Sequence, residues 1–252
     1  MSTDHNSIIV GKVLHAFDCL PSTNQYAIEL LASANPPEGT VIAAKYQSAG
    51  RGQMGTHWES ESGMNLLLSV ILRPQFLSVE EQFTLNKAIS LAVLAVLDSY
   101  FPNRIAIKWP NDIYIDQGKI CGILIQNGIS GKKLQWTVVG IGLNVNQIGF
   151  SNATNNATSM ARELGQQVDL IDLRKKLFYQ LDLYYSKLKS GDPVLNELYA
   201  RSLYRAGIPT TFTDNRGEIF TGTIERVDKQ GKLVIKSGTE IKHFNLKEIS
   251  YQ

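Results

Sequence analysis

Gly50-Arg51-Gly52-Gln53-Met54-Gly55-Thr56-His57-Trp58 sets three glycines, a guanidinium and an indole within nine residues. Glycine reaches backbone conformations closed to other residues, so N–H groups can converge on an anion. Arg51 offers a planar fork matched to a carboxylate or phosphate, and Trp58 a face for a ring. Taken alone, the stretch reads equally as a surface hairpin loop, where Gly and Gln are common. Its surroundings decide the class of fold. No Gly-Lys-Ser/Thr follows, so it is not a P-loop, and it does not open a helix as the dinucleotide fingerprint requires. Glu61-Ser62-Gly63-Met64 leads instead into a strand-like run, Asn65 to Leu72. A phosphate site here needs a different design.

Working outward, Ser22-Thr23-Asn24 precedes the apolar-periodic Tyr26 to Leu31, which Asn35-Pro36-Pro37 ends, so a capped helix is expected. Strands are expected over 40–47, 64–72, 104–109, 113–116, 119–126 and 134–142. Helices are expected over 79–100, 159–164, 170–188 and 193–204. Strands mixed with separated helices predict an α+β fold, a mixed sheet with helices on one face. After Ala206-Gly207-Ile208-Pro209 the texture changes. Short β-rich runs (210–213, 218–227, 232–236, 240–244) alternate with Asp/Asn/Gly turns, the pattern of a small β-barrel. Two domains follow, 1–205 and 206–252.

Composition excludes several classes. A length of 252 residues can bury a large core, and a net charge of +2 argues for neither nucleic acid nor a membrane surface. Met1 to Ser7 lacks a signal-peptide core, and the apolar run from Ala88 to Phe101 is too short to span a bilayer. Cys19 and Cys121 have no metal-type spacing, and His5, His15, His57 and His243 are scattered. The sequons at Asn152 and Asn156 are read as coincidental loop chemistry. A cytoplasmic location is expected.

Five motifs occur in order: Pro21-Ser22-Thr23-Asn24-Gln25, Gln47-Ser48-Ala49-Gly50-Arg51-Gly52, Lys108-Trp109-Pro110-Asn111-Asp112, Lys119-Ile120-Cys121-Gly122-Ile123-Leu124 and Gly140-Ile141-Gly142-Leu143-Asn144. Together they resemble the motif series of biotin protein ligases, from about Ser22 to Asn144 and more weakly to the C-terminus. The resemblance implies a class II synthetase-like catalytic domain and an SH3-like C-terminal domain. Some members carry an N-terminal winged-helix domain. Met1 to Pro21 cannot build a helix-turn-helix, so the monofunctional type, with no DNA partner, is expected.

The resemblance also implies a two-step reaction. The biotin carboxylate attacks the α-phosphorus of ATP, giving biotinyl-adenylate and pyrophosphate. A lysine of a biotin carboxyl carrier domain then attacks the activated acyl group. The first step brings anion against anion, so placed positive charge and orientation carry it. By resemblance Arg51 and Lys119 are catalytic, both at the carboxylate and α-phosphate. Without the motif Lys119 would read as a solvated strand lysine. Ser22, Thr23 and Gln47 match positions that hydrogen-bond the biotin ureido group, although Ser22 and Thr23 also serve as helix caps. Asn24, Gly50, Gly52, Gly122, Gly140 and Gly142 complete the biotin set, the strand glycines letting backbone lie close to the bicycle.

Gln53, Trp58, Lys108, Asn111, Asp112 and Asn144 form the ATP set. Trp58 is expected over the adenine or else in the core, and Lys108 toward the phosphates. Asn111 and Asn144 would offer amides to the adenine or phosphates. Asp112 is expected near magnesium or the nucleotide, or as a turn cap. Magnesium would ride mostly on phosphate and water oxygens.

Positions 53, 54 and 56 are often basic in the family, whereas here they are Gln53, Met54 and Thr56. Weaker retention of the adenylate is therefore expected. Two competing readings remain: a lipoate or octanoate ligase of related fold, and a non-catalytic nucleotide- or biotin-binding regulator. Members can be monomers or homodimers, and nothing in the sequence decides between them.

Overall fold

The structure is a computed structural model that describes residues 9–151 and 156–252. Met1 to Ser7 with His5, and the sequon at Asn152, lie outside the described residues. Seven strands form a mixed sheet: β1 (Leu14–Leu20), β2 (Val41–Gln47), β3 (Leu66–Leu72), β4 (Ile105–Lys108), β5 (Asp112–Ile115), β6 (Gly118–Ser130) and β7 (Lys133–Leu143). Their order is β1-β2-β3-β7-β6-β5-β4, with β1 and β2 parallel and the other pairs antiparallel.

The helices are α1 (Thr23–Ser33), α2 (Gln82–Asp98), α3 (Met160–Leu164), α4 (Leu170–Lys189) and α5 (Val194–Arg201). Helices α1 and α4 begin where the sequence supplies a side-chain acceptor for their free N–H groups. The Ser22 hydroxyl accepts from Gln25 N, and Asp169 accepts from Ile171 N and Asp172 N. The turn before α2 is closed by a reciprocal Ser78–Glu81 capping box.

β3 is buried along its whole length, as a central strand covered on both faces must be. Alternation divides its side chains. Leu66, Leu68, Val70 and Leu72 join the large core under α2 and α4, whereas Ile71, with Ile42, Ala44 and Val138, meets Ala27 of α1 on the other face. The expectation of helices on one face holds for α2, α4 and α5. It is refined by α1, which covers the second apolar patch and borders the candidate site. Truncating a fully buried leucine such as Leu85 or Leu97 to alanine should cost about 2–5 kcal/mol.

The C-terminal strands are β8 (Thr210–Asp214), β9 (Ile219–Val227), β10 (Leu233–Ser237), β11 (Glu240–Phe244) and β12 (Ile249–Tyr251). They form an antiparallel five-stranded sheet, ordered β11-β10-β9-β8-β12, with β11 and β12 at its two ends. The expected barrel is therefore an SH3-like sheet not closed by pairing of its end strands among the described residues. Its Phe212, Ile224, Leu233 and Ile235 belong to the same core as α2 and α4. The buried Lys87 ammonium bridges the two parts, donating to Asn196 Oδ1 at 3.0 Å and to the Val227 carbonyl at 3.4 Å.

Candidate active site

Three glycines open the α1 face of the seven-stranded sheet. Gly122 of β6 and Gly142 of β7 are register partners, and Gly140 follows on the same face. A Cβ on Gly122 would lie 2.7 Å from the Trp58 indole and one on Gly142 2.5 Å from it. A Cβ on Gly140 would strike Asn24 Oδ1. Bare backbone here is thus required for a flat ring and for an amide to approach.

The glycine loop is a small hairpin, as its bland reading held, and it also borders the cavity. Trp58 N donates to the Gly50 carbonyl at 3.0 Å and Gly52 N to the Thr56 carbonyl at 2.7 Å. Arg51 and His57 pair between those bonds. Gln53 to Gly55 make a 3-10 turn that ends at Gly55 with φ +83°. The Arg51 side chain is exposed, and its guanidinium has no hydrogen bond or ion pair among the described residues.

A cavity of about 480 Å3 lies over these strands, ample for a bicycle or a nucleotide fragment. Of the sequence-predicted residues, Ser22, Thr23, Asn24, Gln47, Arg51, Gly52, Gln53, Trp58, Lys108, Asn111, Asp112, Lys119, Gly122, Gly140 and Gly142 line it. Two are not brought to its wall. Gly50 is needed for chain crossing, since a Cβ there would meet the Trp58 carbonyl at 2.5 Å. Asn144 ties β7 to the following segment, donating from Nδ2 to the Thr158 carbonyl at 3.0 Å.

At one end of the cavity stands a buried polar relay. Gln47 Oε1 accepts from Thr23 N at 2.7 Å and from Thr23 Oγ1 at 3.0 Å. The Ser69 hydroxyl lies within 2.7 Å of Thr23 Oγ1 and 2.5 Å of Asn24 Oδ1. Asn24 Nδ2 donates to Gln126 Oε1 at 2.9 Å and to the Leu124 carbonyl at 3.3 Å. Ser69 and Gln126 escaped the sequence reading. The signal for Ser69 was present: one hydroxyl inside an otherwise apolar strand.

Charge gathers at the other end. Lys119 Nζ meets Asp112 Oδ2 at 2.8 Å across β5 and β6, each side chain about one-third exposed (31%/31%). Lys119 Nζ also lies 5.7 Å from the Trp58 ring centroid. The Lys108 ammonium sits 4.7 Å from the Tyr114 ring, 5.1 Å from Tyr251 and 5.9 Å from Tyr204. Burial pulls the Lys108 pKa below the ordinary lysine value, while burial and the Asp112 charge push the Tyr114 phenol up to about 12. The Asn111 amide donates to the Ile123 carbonyl and so clasps the turn against β6. Trp109 Nε1 donates to the Gly231 carbonyl at 2.9 Å, and Tyr199 OH to the Pro110 carbonyl at 3.1 Å. The peptide between Trp109 and Pro110 is cis.

Also missed by sequence reasoning are Leu246, Lys247, Ile249, Ser250 and Tyr251, which wall the cavity from the C-terminal sheet. Nothing local in that short segment marks it as a site. No group of three or more His, Cys, Asp or Glu able to hold a metal occurs among the described residues, and Asp112 is the one carboxylate on the cavity wall.

The profile of the Biotin/lipoate A/B protein ligase family matches residues 16–144. The chain is 32% identical over 239 residues to the "Bifunctional ligase/repressor BirA" of Bacillus subtilis (strain 168), covering 93% of this chain and 72% of that protein. It is 32% identical over 227 residues to the "Biotin--[acetyl-CoA-carboxylase] ligase" of Paracoccus denitrificans, covering 85% of this chain and 90% of that one. Among solved structures it resembles the biotin protein ligase from Aquifex aeolicus in complex with biotin and ATP, with a TM-score of 0.78 at 25% identity, covering 96% of this chain and 99% of the other. The order of strands, the glycine floor and these likenesses agree: the chain belongs to the biotin/lipoate A/B protein ligase family, and within it to the biotin protein ligases.

Proposed function

We propose that the protein joins biotin to ATP as biotinyl-5'-AMP, releasing pyrophosphate, and passes the biotinyl group to a lysine of a biotin carboxyl carrier domain. The observation that carries this reading is that Arg51 and Lys119 line one cavity, beside a glycine floor and a polar relay. Biotin occupies the relay end, where Ser22, Thr23 and Gln47 meet its ureido group. The nucleotide occupies the end bounded by Lys108, Asp112 and Trp58, with Trp58 against the adenine. Arg51, whose guanidinium has no partner among the described residues, neutralises the two anions as they meet, and Lys119 stabilises the charge that develops at phosphorus. Asp112 keeps Lys119 oriented until the anions arrive.

Asp112 would be the wall carboxylate nearest a magnesium ion, which would neutralise phosphate charge and be held chiefly by phosphate and water oxygens. Residues 1–205 form the catalytic domain and 206–252 the C-terminal domain. Among the described residues no helix is long and apolar enough to cross a membrane, and we assign the activity to the cytoplasm.

The direct test incubates the protein with biotin, ATP, magnesium and a carrier domain and weighs the carrier. A gain of one biotinyl group is expected, with none when lipoate replaces biotin. Arg51→Ala and Lys119→Met should each slow pyrophosphate release by about a hundredfold or more. No gain in mass, or equal release by these variants, overturns the reading.

A further inference from the structure

We propose that Lys247, contributed by the C-terminal sheet, binds the β- and γ-phosphates of the nucleotide; this rests on the reading of the cavity as an ATP site. Lys247 lines the same cavity as Arg51 and Lys119 although it lies 128 positions beyond Lys119 (247 less 119). It is exposed, and its ammonium has no hydrogen bond or ion pair among the described residues. The other wall lysines are committed more fully. Lys119 is paired with Asp112 at 2.8 Å, and Lys108 is half-buried under three tyrosines. A triphosphate is a polyanion, so a wall whose lysines are thus occupied needs further charge. Arg51 of the glycine loop is assigned to the carboxylate and phosphate that react, and Gln53 and Thr56 line the cavity there as uncharged residues.

The backbone supports the assignment. Lys247 holds φ +66°, a conformation unfavourable for a side chain longer than glycine's. The turn that imposes it is built, not loose. Asn245 N donates to Glu248 Oε2 at 2.6 Å, Asn245 Nδ2 to Glu248 Oε1 at 3.0 Å, and Glu248 N to the Asn245 carbonyl at 3.0 Å. Glycine would fit that position without strain. A lysine kept there has its explanation in the charge it brings to the cavity.

The test is calorimetric titration of the biotin-loaded full chain with α,β-methylene-ATP, whose α–β bridge cannot be cleaved, and in parallel with adenosine. Lys247→Gly relieves the backbone and should leave thermal stability intact. It should weaken the triphosphate analogue by about tenfold and leave adenosine and biotin affinity unchanged. Lys247→Arg should restore analogue affinity, although it is as strained as the lysine. Equal losses for adenosine and the analogue, or no loss for either, overturn the proposal. So does a defect confined to the KM of the carrier domain, which would make Lys247 a protein-docking residue. Because binding is read without turnover, a protein that fails to ligate biotin refutes the proposed function, while unchanged analogue affinity refutes this inference alone.

Discussion

Trp58 lies over Gly142 so closely that a Cβ added to the glycine would sit 2.5 Å from the indole. Gly142→Ala must therefore displace the ring, because the β7 backbone beneath is fixed by pairing on both sides. Trp58 is on a loop and can yield, so the effect should fall on ligands more than on folding. Nucleotide affinity is expected to drop about tenfold, with an overpacking penalty of about 1–3 kcal/mol as its ceiling. Calorimetry beside thermal unfolding checks this, and unchanged affinity would remove Trp58 from the nucleotide wall.

Ser69→Ala removes the hydroxyl that joins Thr23 to Asn24. Both partners are buried, so the loss should cost about 1–2 kcal/mol, expressed chiefly as weaker biotin binding. Titration with biotin in the absence of nucleotide measures it. A variant that binds biotin as well as wild type would show that the relay does not orient the site.

Lys108 carries a pKa lowered by burial, so its ammonium is lost earlier than an exposed lysine's as pH rises. Pyrophosphate release should decline on the alkaline side as that charge disappears. In Lys108→Arg the alkaline limb should move upward, because guanidinium keeps its proton. Superimposable pH profiles for the two proteins would assign the decline to another group.

Asp214, Glu248 and Glu81 each accept backbone N–H bonds, which hold their carboxyl groups below the ordinary carboxylate range. The unfolded chain takes up those protons at higher pH than the folded one does. Their contribution is therefore complete near neutrality and is lost as pH falls through that range. Melting temperature should drop below about pH 5. Asp214→Asn, which keeps an acceptor for Arg216 N and Glu218 N, should flatten the slope. A slope unaltered in that variant would refute the assignment.

Gln53 lines the cavity as an uncharged residue of the glycine loop. Gln53→Arg should hold the adenylate longer and reduce labelling of a bystander protein. Equal bystander labelling by wild type and variant would sink the idea.

Much of this was legible in the chain because the chemistry is concentrated in short motifs. Ser22, Gln47, Arg51, Lys119 and the strand glycines lie within fixed turns and strands, and they meet on one cavity. Helices with a cap and a stop, such as α1, were found nearly to the residue. What escaped has physical reasons. β1 is an edge strand with mostly exposed side chains, so it shows little apolar alternation. β12 has three residues, too few to display any period. Asn144 stands off the cavity wall, its Nδ2 donating to the Thr158 carbonyl and its Oδ1 buried without a hydrogen bond among the described residues, and sequence cannot tell a ligand for backbone from a ligand for substrate. The C-terminal wall, with Tyr251 over Lys108, depends on how two sheets dock, which no local pattern encodes.

Gln47 spends its oxygen entirely on Thr23, and that has a consequence for selectivity. With Oε1 anchored by the Thr23 backbone N–H, the amide cannot turn over without stranding that donor. The NH2 end is thereby fixed as the face shown to any visitor. A guest that presents a carbonyl to that corner is welcomed, and one that presents an N–H instead is turned away before any charge on the far wall is felt.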